Sequence, residues 1–277
     1  MKYIYSFLLL YFFNNSVLAQ YYNGLDTTLR CGDFKTALHN HIKANTTVRD
    51  YDDLIGAHAT YDVHKSDDNL RTIIWDMYSD NPIGAEPYEY LPISGDRCGS
   101  YSKEGDCYNR EHSTAASWYG DALPMYSDFF NLVPTDGFVN GQRSNWPMAK
   151  VNVASWTSKN GCKLGSSATS GISGTVFEPR DEYKGDFARI FLYMSVRYQN
   201  VIGSLTNGNG SKVFVNNLYP SLTNAAINLY IQWHNQDPPS AKEIARNNGG
   251  QIFQGNRNPF VDNPHWVYKI WGTNGSC

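Results

Sequence analysis

Glu111 and His112 stand side by side in the chain, and after an intervening stretch come Asn140, Arg143, Ser144 and Asn145. These residue types are the parts needed for phosphodiester cleavage assisted by one metal ion. A neutral imidazole can take a proton from water. A hard divalent cation polarises a phosphate and shields the leaving oxygen, and a carboxylate and an amide carbonyl are suitable oxygen ligands for it. A guanidinium grips phosphate oxygens in a fixed fork.

The surrounding elements must bring these groups together. Asn140, Arg143 and Ser144 share one face if Val139 to Trp146 is helical, because they lie at i, i+3 and i+4. Phe129, Leu132 and Val133 read as a short apolar strand ending at Pro134, with Thr135-Asp136-Gly137 as a turn and helix entrance. With a strand carrying His112, the outline is that of a ββα metal-binding motif. Neighbours on a regular strand point to opposite faces, so the strand must end or bulge for Glu111 and His112 to share a site. Asn131 is placed to support the His112 ring through a hydrogen bond, which would fix the free ring nitrogen. Asp136 reads as a turn former rather than a further acidic group near the metal. Trp118 and Trp146 read as core packing rather than base-stacking groups.

The run Asn109-Arg110-Glu111-His112, then Ser117-Trp118, then PTDG, VNG and RSN from Pro134 to Asn145 and Pro147, resembles the endonuclease I family of secreted bacterial nucleases. That family belongs to the ββα-metal, or His-Me finger, group. The likeness continues through FEPRDEYKGDFARIFLYMSVRY and QGNRNPFVD and spans about Ile73 to Trp271. It implies a non-specific nuclease acting on DNA, with RNA as a further substrate. It also implies His112 as general base and Glu111 and Asn140 as the protein ligands of Mg2+ or a similar ion such as Mn2+ or Ca2+. Ala115-Ala116 stand where members often carry a proline and a polar residue, a change expected to alter the following loop rather than the activity.

Composition sets the frame. The 277 residues are 41% apolar, enough for a substantial core. The 20 Tyr and seven Trp suit stacking on bases or on sugars and do not choose between them. Met1–Ala19 has a lysine, an apolar run and a small-residue ending, the pattern of a secretory signal. The remaining chain from Gln20 carries 22 basic and 26 acidic side chains. This balance excludes a tight architectural DNA binder but not an enzyme with a local basic surface. Arg110, Arg143 and Lys150 are expected to line one such cleft. Of the five cysteines, Cys98 and Cys107 enclose a short loop and are the best pair for a disulfide. No C-x2-C spacing supports a zinc site.

Phe34–Ile42 has a helical apolar face with Asp33 as N-cap, and Tyr51–Lys65 could be a second helix. His58 and His64 lie six apart, which is not a helical metal pair. Thr72–Tyr78 reads as a buried strand and Lys159–Gly174 as a Gly/Ser surface loop. Phe177–Tyr198 is the strongest helix, entered at Glu178-Pro179, with charges on a solvated face or with Glu178 and Arg189 backing the site. Ser221–Asn235 is helical, and Ser240 and Glu243 form a capping-box pattern that starts another helix. Gln254–Asp262 could touch phosphates or be a self-bonded turn.

The expected fold is α+β, a helix-rich single domain over residues 20–277 around a ββα-metal motif at about 108–147. The expected activity is metal-dependent cleavage of DNA, and of RNA, held by the phosphate backbone. The catalytic set is His112 and Arg143 with Glu111 and Asn140 as ligands, in an exported monomer, periplasmic or extracellular, without a membrane anchor. The competing readings are a secreted carbohydrate-active protein and an inactive nucleic-acid-binding module.

Overall fold

Phe34, Leu38 and Ile42 recur at four-residue steps and are fully buried on one face of helix α1 (Cys31–Asn45). Arg30 rather than Asp33 occupies the N-cap position. The computed structural model describes residues 20–273, 275 and 277, so the leader expected at Met1–Ala19 lies outside the described residues. Helix α2 (Asp53–Tyr61) is shorter than the segment Tyr51–Lys65, whose last residues form strand β1 (Val63–Lys65). β1 pairs antiparallel with β2 (Thr72–Ile74), in register Val63 to Ile74. Trp75 to Tyr78 leave that strand for a turn in which the Asp76 carboxylate accepts from Tyr78 N and Ser79 Oγ.

Strand β3 (Tyr108–His112) pairs antiparallel with β4 (Leu132–Asp136), and α3 (Gly137–Arg143) follows at once. This is the expected strand, loop, strand, helix order. Asp136 caps α3 by accepting from Val139 N at 2.7 Å, and its other oxygen accepts from Tyr90 Oη at 2.6 Å and Gly105 N at 2.8 Å. The turn-former reading of Asp136 therefore holds. Cys98 and Cys107 are bonded, and the loop they close lies on α3. A side chain at Gly137 would meet Cys98 Sγ at 2.8 Å, so only glycine lets the helix approach. α3 stops before Ser144, at φ 51°, because the chain turns left-handed there. Ser144 is thus outside the helix, contrary to the expectation from spacing.

Strands β5 (Val151–Thr157), β6 (Lys163–Ser167) and β7 (Thr175–Glu178) form a third antiparallel sheet in sequential order. The Gly/Ser stretch 159–174 therefore contains a strand and is not wholly a loop. Gly165 is needed in it, since an added carbon would collide with the Val153 carbonyl of β5. Glu178 ends β7 rather than opening a helix. Helix α4 (Lys184–Arg197) begins after a 3-10 turn, and every residue in it is buried. Its charges are paired inside the protein instead of solvated: Arg189 Nε donates to Glu243 Oε1 at 2.7 Å, and Lys184 bonds Glu178 at 2.5 Å. Neither Glu178 nor Arg189 contacts the catalytic candidates through these bonds.

Helix α5 (Asn224–Gln236) is capped by Thr223, and α6 (Ala241–Gln254) by Ser240 Oγ, which accepts from Glu243 N at 3.1 Å. Only that half of the capping box forms, because the Glu243 carboxylate is taken by Arg189. Helices α7 (Pro259–Asp262) and α8 (Trp266–Trp271) follow. Arg257 bonds Asp262, Gln251 and Asn248, and Asn247 exchanges bonds with Asn258. Gln254–Asp262 is therefore a self-bonded turn that docks α7. The second disulfide, Cys31–Cys277, escaped the sequence reading, and Cys162 is a buried thiol.

Arg246 of α6 holds β4 in place from behind. It donates to Asp62 Oδ1 at 2.7 Å and to the carbonyls of Phe129 and Leu132 at 2.7 and 2.6 Å. His58 Nδ1 lies 2.6 Å from the other Asp62 oxygen. Burial alone would raise the Asp62 pKa, but Arg246 and His58 outweigh it and hold the carboxyl below its usual range. Replacing Arg246 by Met strands this carboxylate and two carbonyls, and we expect a loss of about 3–5 kcal/mol in urea unfolding at neutral pH. A depressed pKa contributes stability above the unfolded-state value of about 4 and loses it as pH falls through the folded value. The wild-type advantage over Arg246→Met should therefore shrink as unfolding is repeated from pH 6 towards pH 3.

Candidate active site

The β3–β4 register runs unbroken from Tyr108–Asp136 to His112–Leu132. No bulge interrupts it, so the pleat sends Glu111 and His112 to opposite sides. The expectation that both enter one pocket through a bulged strand is therefore corrected. Glu111 turns under α3 with Asn109, its neighbour two residues away. His112 and Arg110 lie on the other side against Tyr51. The strand does end at His112, which keeps partial exposure there.

On the α3 side, Glu111 is 1% exposed and Oε1 accepts from Arg143 Nη1. Arg143 also donates to the carbonyls of His112, at 2.7 Å, and Ser113. It is itself 1% exposed. The phosphate-gripping role expected of Arg143 is therefore corrected: the guanidinium is buried and its two terminal nitrogens are committed to the protein. Burial pushes the Glu111 carboxyl up to about 7 even with Arg143 beside it. The Tyr78 hydroxyl also faces this carboxylate, whose one well-aligned side-chain donor among the described residues is Arg143. Asn140 Nδ2 donates to Asn109 Oδ1 at 2.7 Å, and among the described residues the Asn140 amide oxygen accepts no hydrogen bond. A carboxylate oxygen and an oriented amide oxygen are the donor chemistry of a hard divalent cation, so Glu111 and Asn140 fit such an ion.

On the other side, His112 Nε2 lies 3.0 Å from the Tyr126 carbonyl. A carbonyl only accepts, so Nε2 carries the proton and Nδ1 is the basic nitrogen. The ring stacks on Tyr126 at 4.7 Å and on Tyr51 at 5.7 Å. Burial lowers its pKa to about 4, which leaves the imidazole neutral at physiological pH. Tyr126, not Asn131, thus sets the tautomer. Asn131 instead accepts from Thr114 N at 2.8 Å and braces the turn after β3. Trp118 is buried, as expected for a packing residue, and Trp146 is half-buried.

Arg110 stacks on the Tyr51 ring at 3.6 Å and donates to its carbonyl at 2.7 Å. It lines a cleft of about 480 Å³ with Tyr51, Ser94, Arg97 and Tyr108. Lys150 is elsewhere, bonded to Gln232 beside the start of α5. Arg110, Arg143 and Lys150 therefore do not share one cleft. Arg97 was missed by sequence reasoning. The signal for it was the disulfide loop, which returns residue 97 to β3 through the bridge to Tyr108.

Comparison with known proteins bears on this geometry. The sequence profile of the family described as Endonuclease I matches residues 31–265. An "Extracellular ribonuclease" of Bacillus amyloliquefaciens is 34% identical over 199 residues, covering 68% of this chain and 63% of the relative. An "Extracellular ribonuclease" of Bacillus subtilis (strain 168) is 31% identical over 173 residues, covering 59% of this chain and 54% of the relative. The chain thus matches less than two thirds of the length of either relative.

The buried Arg143 predicts a stability phenotype. Arg143→Met leaves Glu111 and two carbonyls without their donor, and we expect a loss of about 3–5 kcal/mol in urea unfolding. A weakened substrate KM with unchanged stability would restore the phosphate-binding role instead.

Proposed function

This chain belongs to the endonuclease I family, and from that premise we propose that it is an exported, divalent-metal-dependent endonuclease. It hydrolyses phosphodiester bonds of DNA and RNA, leaving 5′-phosphate and 3′-hydroxyl ends. The observation that carries this reading is the pair of oxygen donors, the Glu111 carboxylate and the Asn140 amide oxygen, on the α3 side of the ββα unit. The names of the two Bacillus relatives speak for RNA as a substrate of those proteins. Attack by water needs no 2′-hydroxyl, so the same chemistry serves both nucleic acids.

Glu111 and Asn140 would hold a Mg2+-like ion with water completing its shell. When bound, the ion polarises the phosphate and shields charge on the leaving 3′ oxygen. His112 Nδ1 takes the proton of the attacking water, with its orientation held by the Tyr126 carbonyl and the two stacked tyrosines. In-line displacement puts the attacking and leaving oxygens on opposite sides of phosphorus. We place the phosphodiester across the end of β3, with water on the His112 side and the leaving oxygen on the Glu111 side. Arg143 positions Glu111, and Arg97 and Arg110 hold neighbouring phosphates in their cleft, which keeps sequence preference weak.

Two disulfides and the names of the relatives support export, with the mature chain starting near Gln20. Among the described residues no helix is long and apolar enough to cross a membrane. We take the working form to be a monomer. Family membership favours this reading over a sugar-active protein or an inactive binding module.

The test is cleavage of plasmid DNA and of ribosomal RNA by mature protein with Mg2+ and with EDTA. We expect EDTA, Glu111→Gln and Asn140→Ala to abolish cleavage, and His112→Ala to lower kcat by about 10²–10⁴-fold. Folded wild-type protein that leaves both substrates intact with Mg2+, Mn2+ and Ca2+ would remove the nuclease reading. Full activity of His112→Ala would move the base elsewhere. Separately, Arg97→Gln should raise KM and flatten the dependence of log affinity on log salt by about 0.7–0.9 for each phosphate that the protein no longer neutralises.

A further inference from the structure

The β1–β2 pairing and the loop that follows it bring His64 of β1, Asp80 after β2 and Glu86 of that loop together. One ligand atom from each lies within 4.8 Å of the other two. His64 Nε2 is 3.2 Å from Glu86 Oε1, yet the two are not aligned as a hydrogen bond. The Glu86 side chain is only 2% exposed, and its Oε2 is buried with no hydrogen-bond partner. Asp80 is 9% exposed, and Oδ2 accepts from Trp75 Nε1 at 2.9 Å and from the Tyr183 hydroxyl. Those bonds fix the carboxylate, which also lies beside the Asn81 backbone amide.

We propose that His64, Asp80 and Glu86 form a structural site for a borderline divalent transition ion, with Zn2+ as the best match, separate from the Glu111–Asn140 donors. Imidazole and carboxylate together suit Zn2+, whereas an imidazole ligand disfavours Ca2+ and Mg2+. Bonds of about 2.0–2.2 Å put tetrahedral ligand atoms about 3.3 Å apart. The His64–Glu86 approach of 3.2 Å already has that spacing. The Asp80 ligand atom lies within 4.8 Å of both. Three protein ligands leave one position for water.

Charge points the same way. Glu86 is buried in the company of the Asp80, Asp76, Glu89 and Asp67 carboxyls. The Lys242 ammonium is engaged by the Val63 carbonyl and the face of Trp75. Glu89 is paired with Arg71, whereas among the described residues Asp80 and Glu86 have no Lys or Arg salt bridge and are the carboxylates a dication would bind. The site would fasten the loop after β2, which four residues beyond Glu86 delivers Tyr90 to the Asp136 cap of α3. It would stabilise the frame of the catalytic unit and take no part in the chemistry.

The alternative for these residues is a plain His64–Glu86 proton-sharing pair. The experiment is a Zn2+ titration of EDTA-treated, dialysed full-length mature protein, read by calorimetric binding and by melting temperature. Wild type and Asn140→Ala should each bind Zn2+ at this site and melt several degrees higher with excess ion. His64→Ala and the near-isosteric Glu86→Gln should bind at least about 10–100-fold more weakly and lose the rise. Anomalous diffraction from Zn2+-soaked crystals should place the ion among the three side chains. An equal Zn2+ response in wild type, His64→Ala and Glu86→Gln, or a wild type stabilised by Mg2+ or Ca2+ alone, would overturn the site. So would an anomalous peak only at Glu111 and Asn140.

Discussion

A guanidinium shut away from water must find its acceptors inside the protein, and Arg143 finds them at the end of β3. It meets one oxygen of Glu111 and the carbonyls of His112 and Ser113. Those bonds lock α3 onto the strand that carries both catalytic candidates. They also give the Glu111 carboxylate a fixed orientation. Asn140, one turn earlier on the same helix, is turned by Asn109 on the same strand face. One buried cation therefore sets the distance between helix and strand, and with it the spacing of the proposed ligands.

The same rule recurs deeper in the fold. Arg246 joins α6 to Asp62 and to the start of β4. Arg189 joins α4 to Glu243 of α6. Asp128 accepts hydroxyls from Tyr193 and Tyr198, both at 2.8 Å, and an amide of Gln254 at 2.9 Å, just before the chain enters β4. Such pairs add less net stability than their number suggests, because each charge has been stripped of water. Their value is directional: each accepts only one arrangement of the helices behind the ββα unit. The two faces of β3 then become chemically different, an oxygen-donor face under α3 and an aromatic, basic face at Tyr51 and His112.

The outline of the unit was legible because its parts are local. A strand that ends in Asp-Gly leads to a short helix, and the Asp136 cap needs only its own turn. The Cys98–Cys107 bridge and the start of α6 at Ser240 were legible for the same reason. The direction in which Arg143 points was not. Spacing puts it on the helix face of Asn140, but does not say on which side water lies. β6 was hidden by its Gly and Ser content, since a largely exposed strand shows no apolar alternation and Gly165 serves only the approach of β5. Arg97 could be found only through the disulfide loop that returns it to β3, and the His64–Asp80–Glu86 group only through the β1–β2 pairing and the loop after it, neither of which residue spacing reveals. The fully buried α4 was misread on its charged side, whose partners lie on α6 and β7.

The Cys31–Cys277 bond has a separate consequence. It closes 246 residues of sequence into a covalent ring that contains the entire catalytic unit and the helices behind it. A single proteolytic cut anywhere in that ring, for example in the exposed turn at Asn69-Leu70, leaves the two pieces tied together. The cut chain can still re-form its contacts, because the fragments cannot diffuse apart. By the chain-entropy argument the closure also removes about 5 kcal/mol of freedom from the unfolded chain. Among proteases, resistance to loss of function would then depend on two cuts rather than one.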